Sequence, residues 1–259
     1  MQKSFSPIRL KKKYSQNFLK DTRYLDAILN AVELDKETSV FEIGGGAGAL
    51  TKAILRRSIR QLWVFEIDSE WAAELRKIKD DRLTVFEENF LDGDFSRFET
   101  FKPWTLLANL PYQITFPILH ILQKHRAILK EGVIMVQEEV AQKILKTGGR
   151  NYGFISLFFQ WFFDWKMLDK VPPEAFYPKP KVFSRLLYFK PKKDIPSIEQ
   201  EAEFWQFIKT CFKQPRRTLR NNLAQSHYNI SAIDPKTLEL RAQQLSMVDL
   251  LALWRQLIA

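Results

Sequence analysis

The stretch Phe41-Glu42-Ile43-Gly44-Gly45-Gly46-Ala47-Gly48-Ala49-Leu50-Thr51 passes from an apolar β-rich run through glycines into helix-forming residues. Glycines between a strand and a helix let the backbone turn tightly and approach a ligand at the helix N-terminus, where side chains would collide. The spacing, G-x-G-x-G after an acidic residue, differs from the G-x-G-x-x-G of dinucleotide sites. A tight, closely packed turn without a ligand would also use glycine, so the next strand decides. It ends Val64-Phe65-Glu66-Ile67-Asp68, with Glu66 at its carboxyl edge, 18 residues beyond Gly48. An acid there can accept from both ribose hydroxyls. Gly44, Gly46 and Glu66 are therefore candidate cofactor residues, and either NAD or S-adenosylmethionine would satisfy them.

Outward from this stretch, short β-rich runs alternate with helix-period segments: Val40–Ile43, Leu62–Ile67, Leu83–Phe86, Thr105–Ala108 and Gly132–Val136, with helices expected at Leu50–Arg57 and Ser69–Lys77. That alternation predicts βαβ units and a mostly parallel sheet. Lys166–Val171 and Val182–Phe189 are expected to add an antiparallel pair at its edge. A Pro- and Lys-rich linker, Lys190–Ser197, precedes a purely helical tail. Ser197 with Gln200 predicts a capping-box start, and Phe204, Phe207, Ile208, Cys211 and Phe212 form an apolar stripe. Ser246 is expected to cap a last helix running toward Ile258, with Val248, Leu251 and Leu257 inside. The expected division is a basic arm at 1–23, an α/β domain at 24–190 and a helical domain at 191–259.

Composition limits what such a chain can do. With 46% hydrophobic residues and 21 Phe it must bury a large core, which excludes long disorder. A lone cysteine, Cys211, excludes a disulfide framework, and the dispersed His120, His125 and His227 suggest no metal site. Cys211 is expected in the core, and His120 and His125 on or beside a surface helix. The basic N-terminus lacks the apolar run of a secretory signal, and Gly153–Trp165 is too short and too interrupted to span a membrane. A cytoplasmic, monomeric protein without metal or membrane partner is expected. The net charge of +10 is uneven: residues 1–23 and 151–220 carry +6 each, while 24–150 carry −2. Clustered cations fit a polyanion partner, because neutralising phosphates releases condensed counterions. Lys11, Lys12 and Lys13 in the arm, Lys179 and Lys181, and Arg216, Arg217 and Arg220 are the candidate nucleic-acid contacts. A helix restarting at Pro215 would present Arg216 and Arg220 four residues apart.

The fourth strand ends Leu107-Ala108-Asn109-Leu110-Pro111-Tyr112, which should face the pocket opened by the glycines. The exocyclic amine of adenine is a weak nucleophile, its lone pair delocalised into the ring. To attack a methyl sulfonium it needs acceptors on its two N–H bonds that leave the lone pair in line. The Asn109 side-chain oxygen and the Leu110 carbonyl, with Pro111 fixing the turn, can supply them, and Tyr112 can stack on the ring. Positioning then carries much of the rate without a strong base.

At these residues the chain resembles the KsgA-type ribosomal RNA adenine dimethyltransferases, which share a fold with the Erm-type methylases. The resemblance runs from Tyr14-Ser15-Gln16-Asn17-Phe18-Leu19 through the glycine loop and Asn109–Tyr112. It continues in MVQEEVAQKI (135–144), the Tyr-Gly and Ser-Leu pairs from Tyr152, VPPEAFYPKPKVFSRL (171–186), CFKQPRRTLRNNL (211–223) and LRAQQLS (240–246). It implies a class I S-adenosylmethionine-dependent methyltransferase, α/β and Rossmann-like, with a small C-terminal helical domain. The implied reaction is dimethylation of two adjacent adenosines near the 3′ end of 16S rRNA, within a precursor of the small (30S) subunit. By the same resemblance Asn17, Leu19, Gly44, Glu66, Asn89 and Asn109 would meet the cofactor. Phe176 would stack on the extruded adenine opposite Tyr112.

Three positions depart from the family pattern. Asn89 stands where Asp is usual and can still accept from an adenine amine, but without charge. Gly45 replaces a frequent Pro, and Glu138 replaces a common Lys, removing one possible phosphate contact. The rival readings are an Erm-type enzyme acting on large-subunit RNA, a non-catalytic assembly or transcription factor that keeps the fold, and a dehydrogenase.

Overall fold

The computed structural model describes Lys11 and residues 16–258. The main sheet contains β2 (Ser39–Ile43), β3 (Gln61–Phe65), β4 (Leu83–Phe86), β5 (Trp104–Asn109), β6 (Leu129–Gln137), β7 (Phe163–Val171) and β9 (Ser184–Pro191), in the order β4-β3-β2-β5-β6-β9-β7. Strands β4 through β6 in this order pair in parallel, and β9 runs antiparallel to β6. A separate antiparallel pair joins β1 (Phe18–Leu19) to β8 (Phe176–Tyr177). From β2 the chain moves outward through β3 and β4, then returns to lay β5 on the other side of β2. Beyond the carboxyl ends at such a reversal lies the crevice where open α/β sheets bind ligands.

Period-two alternation gives the sheet two unlike faces. Val40, Leu62, Val64, Leu107 and Val133 pack with buried residues of α1 (Thr22–Asn30), α2 (Ala49–Leu55) and α3 (Ser69–Arg76) in one aliphatic cluster. The alternate residues Phe41, Trp63, Phe65 and Trp104 pack with Phe98 instead, and the Trp104 indole N–H donates to the Phe98 carbonyl at 2.7 Å. Ring pairs of this kind add about 0.5–1.5 kcal/mol each beyond their buried area. Side chains cap two of the three helices: Asp21 accepts from Arg23 N–H and Asp68 from Glu70 N–H. The glycine loop enters α2 through Gly48 at φ 75°, a conformation that favours glycine.

Two compact units emerge. One runs to Ala141 and takes in Asp164–Pro191; the other comprises Gln142–Phe163 and the chain from Lys192 onward. Residues 142–163, expected within the α/β domain, thus belong with the tail, because their Phe-rich helix packs on tail aromatics. In that second unit α6 (Phe154–Phe162) sets Phe158 and Phe162 against Trp205 of α7 (Glu201–Cys211). Cys211 is buried there.

Local expectations fared unevenly in the tail. Gln200 precedes α7 in a left-handed conformation with no side-chain cap, so Ser197 does not start it. No helix restarts at Pro215 either: residues 213–217 form turns, and the short α8 (Leu219–Leu223) begins after Thr218, whose hydroxyl accepts from Asn221 N–H. Ser246 does cap the last helix, its hydroxyl accepting from Asp249 N–H at 3.2 Å. The buried side of that helix is Leu250, Leu253 and Trp254, however, and Val248 is 74% exposed.

Candidate functional site

The pocket lies where the strand order reverses. Gly44 and Gly46 from the end of β2, Glu66 and Ile67 from beyond β3, Asn89 and Phe90 from beyond β4, and Asn109–Tyr112 from β5 line it, with Gln16, Asn17 and Phe18 on the remaining side. Gly44 and Gly46 have φ of 77° and 49°, and a Cβ on Gly46 would stand 2.5 Å from the Phe18 ring. Gly46 is therefore required by the loop's shape and by Phe18 alike. Gly45 is also tightly enclosed: a Cβ there would meet Val64 at 2.5 Å and Leu75 at 2.8 Å.

Glu66 is 6% exposed, and its two carboxylate oxygens are held separately. One accepts from Gly46 N–H at 2.8 Å, the other from Asp68 N–H at 2.9 Å. Burial pushes its pKa up, and these two N–H groups oppose that shift. Each oxygen keeps a further lone pair for a hydroxyl donor. Behind it, fully enclosed Glu42 accepts from the Thr51 hydroxyl at 2.6 Å, and desolvation drives its pKa up to about 8. Asn89 is committed locally: its oxygen accepts from Leu91 N–H at 3.2 Å and its amide donates to Asp92 at 2.7 Å.

The Asn109 amide nitrogen donates to the Asn17 backbone carbonyl at 2.9 Å. Only the NH2 end of a side-chain amide can donate to a carbonyl, so this bond fixes which way round the amide lies. The Tyr112 hydroxyl is 2.5 Å from that of Ser184, and burial raises the phenol's pKa. Tyr112 therefore stays neutral at physiological pH and is no general base.

The segment that supplies Asn17 is itself anchored. Lys11 places its ammonium 2.7 Å from both Asp68 and Glu70, while Gln16 donates to Asp68 at 3.0 Å and accepts from Lys11 N–H at 2.9 Å. Burial tends to raise the Asp68 pKa, but the hydrogen bonds from Lys11 and Gln16 outweigh it and hold the carboxyl below its ordinary value. Lys11 was expected to meet RNA phosphates; it is instead engaged with a carboxylate whose side chain is wholly buried. Lys12 and Lys13 lie outside the described residues.

Two further expected residues lie away from the pocket lining. Leu19 and Phe176 face each other across the β1–β8 pair, are 5% and 1% exposed, and belong to the aliphatic core cluster. Neither lines the pocket. Pairing between β1 and β8 turns both side chains inward, so the structure does not bring the Leu19 and Phe176 side chains to the pocket. Phe18, Ile67 and Phe90 line the pocket although they were not singled out. The signal for Ile67 was its place next to Glu66 at a strand mouth.

Among the other candidates, Lys181, Arg216 and Arg217 are exposed. Lys179 pairs with Glu174, and Arg220 with Glu239 at 2.6 Å. Such surface pairs are weak, so a polyanion can compete for these cations. In the second unit, Arg217 lines a groove with Lys209, Lys213, His227 and Tyr228. The buried Asn222 fixes the turn beneath it, donating to the Cys211 carbonyl at 2.9 Å and accepting from Gln214 N–H at 3.1 Å. Among the described residues, no group of three or more His, Cys, Asp or Glu could hold a metal ion, and no helix is long and apolar enough to cross a membrane.

A mostly parallel sheet with a glycine loop, a buried acid at the next strand end and an Asn-Leu-Pro-Tyr mouth defines a class I S-adenosylmethionine-dependent methyltransferase fold. The sequence model described as Ribosomal RNA adenine dimethylase matches residues 8–250, and the chain belongs to that family. It is 36% identical to Ribosomal RNA small subunit methyltransferase A of Syntrophotalea carbinolica, over 92% of this chain and 93% of that protein. Its identity to the protein of the same name from Mycoplasma mobile is 38%, over 92% and 94%. Among solved structures it resembles a dimethyladenosine transferase from Plasmodium falciparum, with TM-score 0.71, 28% identity and coverage of 80% and 75%. It also shares the fold of the 23S rRNA methyltransferase ErmE, with TM-score 0.70, 23% identity and coverage of 93% and 100%.

Proposed function

We propose that this chain, acting as a monomer in the cytoplasm, uses S-adenosylmethionine to dimethylate the N6 amines of two adjacent adenosines near the 3′ end of 16S rRNA in the assembling small subunit. The observation that carries this reading is the orientation of Asn109. With its nitrogen donated to Asn17, its oxygen is left to accept from an incoming amine. Leu110 contributes its backbone carbonyl as the second acceptor, Pro111 fixes the turn, and Tyr112 gives an aromatic face to the base. An amine held on both hydrogens presents its lone pair in one direction, and such positioning is worth several orders of magnitude in rate.

The pocket's donor set suits the methyl donor. Glu66 has free lone pairs for two ribose hydroxyls, Ile67 and Phe90 offer apolar flanks to a flat ring, and Gly44 admits close approach of the backbone. Asn89 keeps only its remaining oxygen lone pair for an adenine amine. Bound there, S-adenosylmethionine would supply an electrophilic methyl on a sulfonium. The residues of this chain orient the acceptor and exclude water. Lys179, Lys181, Arg216, Arg217 and Arg220 are the proposed phosphate contacts.

The test is incubation with labelled S-adenosylmethionine and isolated small or large ribosomal subunits, followed by mapping of the modified nucleotides. Two adjacent dimethyladenosines in small-subunit RNA are expected. Label confined to large-subunit RNA, or to neither, overturns the proposal.

A further inference from the structure

Just beyond β4, two residues with side-chain oxygen acceptors line the pocket, Glu88 and Asn89. Asn89 is largely spent on its own turn, since its oxygen takes Leu91 N–H and its amide nitrogen gives to Asp92. Glu88 is held from outside that turn. Arg97 donates to both of its carboxylate oxygens, through Nη2 to one and through Nη1 at 3.3 Å to the other. The guanidinium in turn lies over the Phe86 ring, 4.5 Å from its centroid, and 5.2 Å from that of Phe65, a residue of the pocket lining. Gly93 leaves the space this pair needs: a Cβ there would stand 3.3 Å from both Glu88 Oε1 and Arg97 Nη2. The preceding acid goes elsewhere, Glu87 pairing with Arg76 at the end of α3 at 2.8 Å.

An ionised carboxyl group has about four lone-pair sites, and Arg97 takes two of them. Each Glu88 oxygen therefore keeps a site, in a part of the pocket where Phe65, Ile67 and Phe90 offer apolar surface to a flat ring. We propose that Glu88 recognises the adenine of the methyl donor by accepting from its exocyclic N6 amine, with Arg97 as the positioning residue that fixes the carboxylate. This rests on the reading of the pocket as an S-adenosylmethionine site, and it moves adenine recognition from Asn89 to its neighbour. Glu88 brings the negative charge that Asn89 lacks, and hydrogen bonds to a charged acceptor are roughly twice as strong as neutral ones.

The test is calorimetric and needs no turnover. Wild type, Glu88→Gln, Glu88→Ala and Asn89→Ala are titrated with S-adenosylhomocysteine and with its 6-deamino analogue, in which hydrogen replaces the amine. Wild type should bind the amine-bearing ligand about 10- to 100-fold more tightly, the range for one hydrogen bond to a charged group. In Glu88→Gln, Arg97 claims the amide oxygen and the NH2 turns toward the ligand amine, because only the oxygen of an amide can accept. The preference should then vanish while affinity for the 6-deamino ligand stays at the wild-type value. Glu88→Ala should behave alike, and Asn89→Ala should keep the wild-type preference.

Equal binding of the two ligands by wild type overturns the proposal, as does full preference retained in either Glu88 variant. Loss of the preference in Asn89→Ala would return adenine recognition to position 89 and overturn it too. So would an equal loss of affinity for both ligands in the Glu88 variants, which would make Glu88 a prop of the pocket and not a contact. Failure of wild type to bind either ligand overturns the reading of the pocket beneath the proposal.

Discussion

The pocket wall and the strip at the start of β9, around Phe183, meet where Ser184 reaches the Tyr112 hydroxyl, yet they are held by different physics. On the wall, backbone N–H groups fix a buried carboxylate at Glu66, and a backbone carbonyl fixes the amide of Asn109. On the strip, a backbone bond from Glu138 N–H to the Phe183 carbonyl is joined by partly exposed side-chain pairs, Arg185 with Glu138 and Lys170 over Phe183. The backbone partners on the wall are set by the path of the chain, Gly46 in the glycine loop, Asp68 just before α3 and Asn17 just before β1. Surface side-chain pairs are screened by salt and compete with water and phosphate. The wall is therefore suited to aligning one reacting atom, whereas the side-chain pairs of the strip can exchange with solvent and salt. Substitutions on the wall should act on rate and cofactor affinity, those on the strip on RNA affinity and its salt dependence.

The hardest test of that contrast is Asn109→Ala. It removes an amine acceptor while leaving the loop's backbone bond from Leu110 N–H to Met135 in place. Single-turnover methyl transfer should fall by about two to three orders of magnitude, the usual cost of losing one aligned polar group. RNA affinity measured by filter binding should change little. A rate within a few-fold of wild type would break the assignment of the wall as the aligning surface.

Next in size is Glu66→Gln. The amide would turn an NH2 toward one of two backbone N–H donors, losing a charge-assisted bond and opposing a like dipole. Affinity for S-adenosylmethionine, read by calorimetry, should fall by about 10- to 100-fold, as expected for a hydrogen bond to a charged group. The salt dependence of RNA binding should stay unchanged.

The boundary between wall and strip is also where sequence reasoning lost its hold. Gly44, Gly46, Glu66 and Asn109 could be read because each sits at the carboxyl end of a strand, and parallel strands bring those ends to one edge whatever the surrounding packing. Phe176 could not, since its direction depends on an antiparallel pairing with Leu19 far away in the chain. Lys11 looked like one of a run of free cations because its partners, Asp68 and Glu70, come from the start of α3. In the tail, Ser246 was legible as a cap through its own local partner Asp249, whereas the inner face of the last helix is decided by tertiary packing that buries Trp254 and leaves Val248 in solvent. Features satisfied within a few residues, or by strand ends alone, were readable; those that need a distant partner were not.

Lys11 sharpens the comparison, because it is a cation by sequence but belongs to the wall by contact. Lys11→Met should slow methyl transfer by loosening Gln16 and Asn17, and through them Asn109, with a loss within about one order of magnitude for a part-exposed cation paired with two carboxylates. The logarithmic salt slope of RNA binding should match wild type. A shallower slope with an unchanged single-turnover rate would return Lys11 to the RNA-binding set and cut the link between the anchored segment and the Asn109 amide.

The last effect lies behind the wall and concerns stability rather than rate or affinity. Glu42 has its pKa raised by burial to about 8, from an ordinary 4.5. Between those values the folded protein holds a proton that the unfolded chain has released, so the unfolded state binds fewer protons and stability falls as pH rises. Glu42→Gln keeps an oxygen for the Thr51 hydroxyl and removes the titration. Wild type should lose thermal stability from pH 5 to pH 8, and the variant should lose measurably less over the same window. Because the raised pKa of Glu66 acts with the same sign, some slope should persist in the variant. Identical slopes in the two proteins would mean that Glu42 titrates in the folded state much as it does in the unfolded chain, and that its surroundings are wetter than its enclosure indicates.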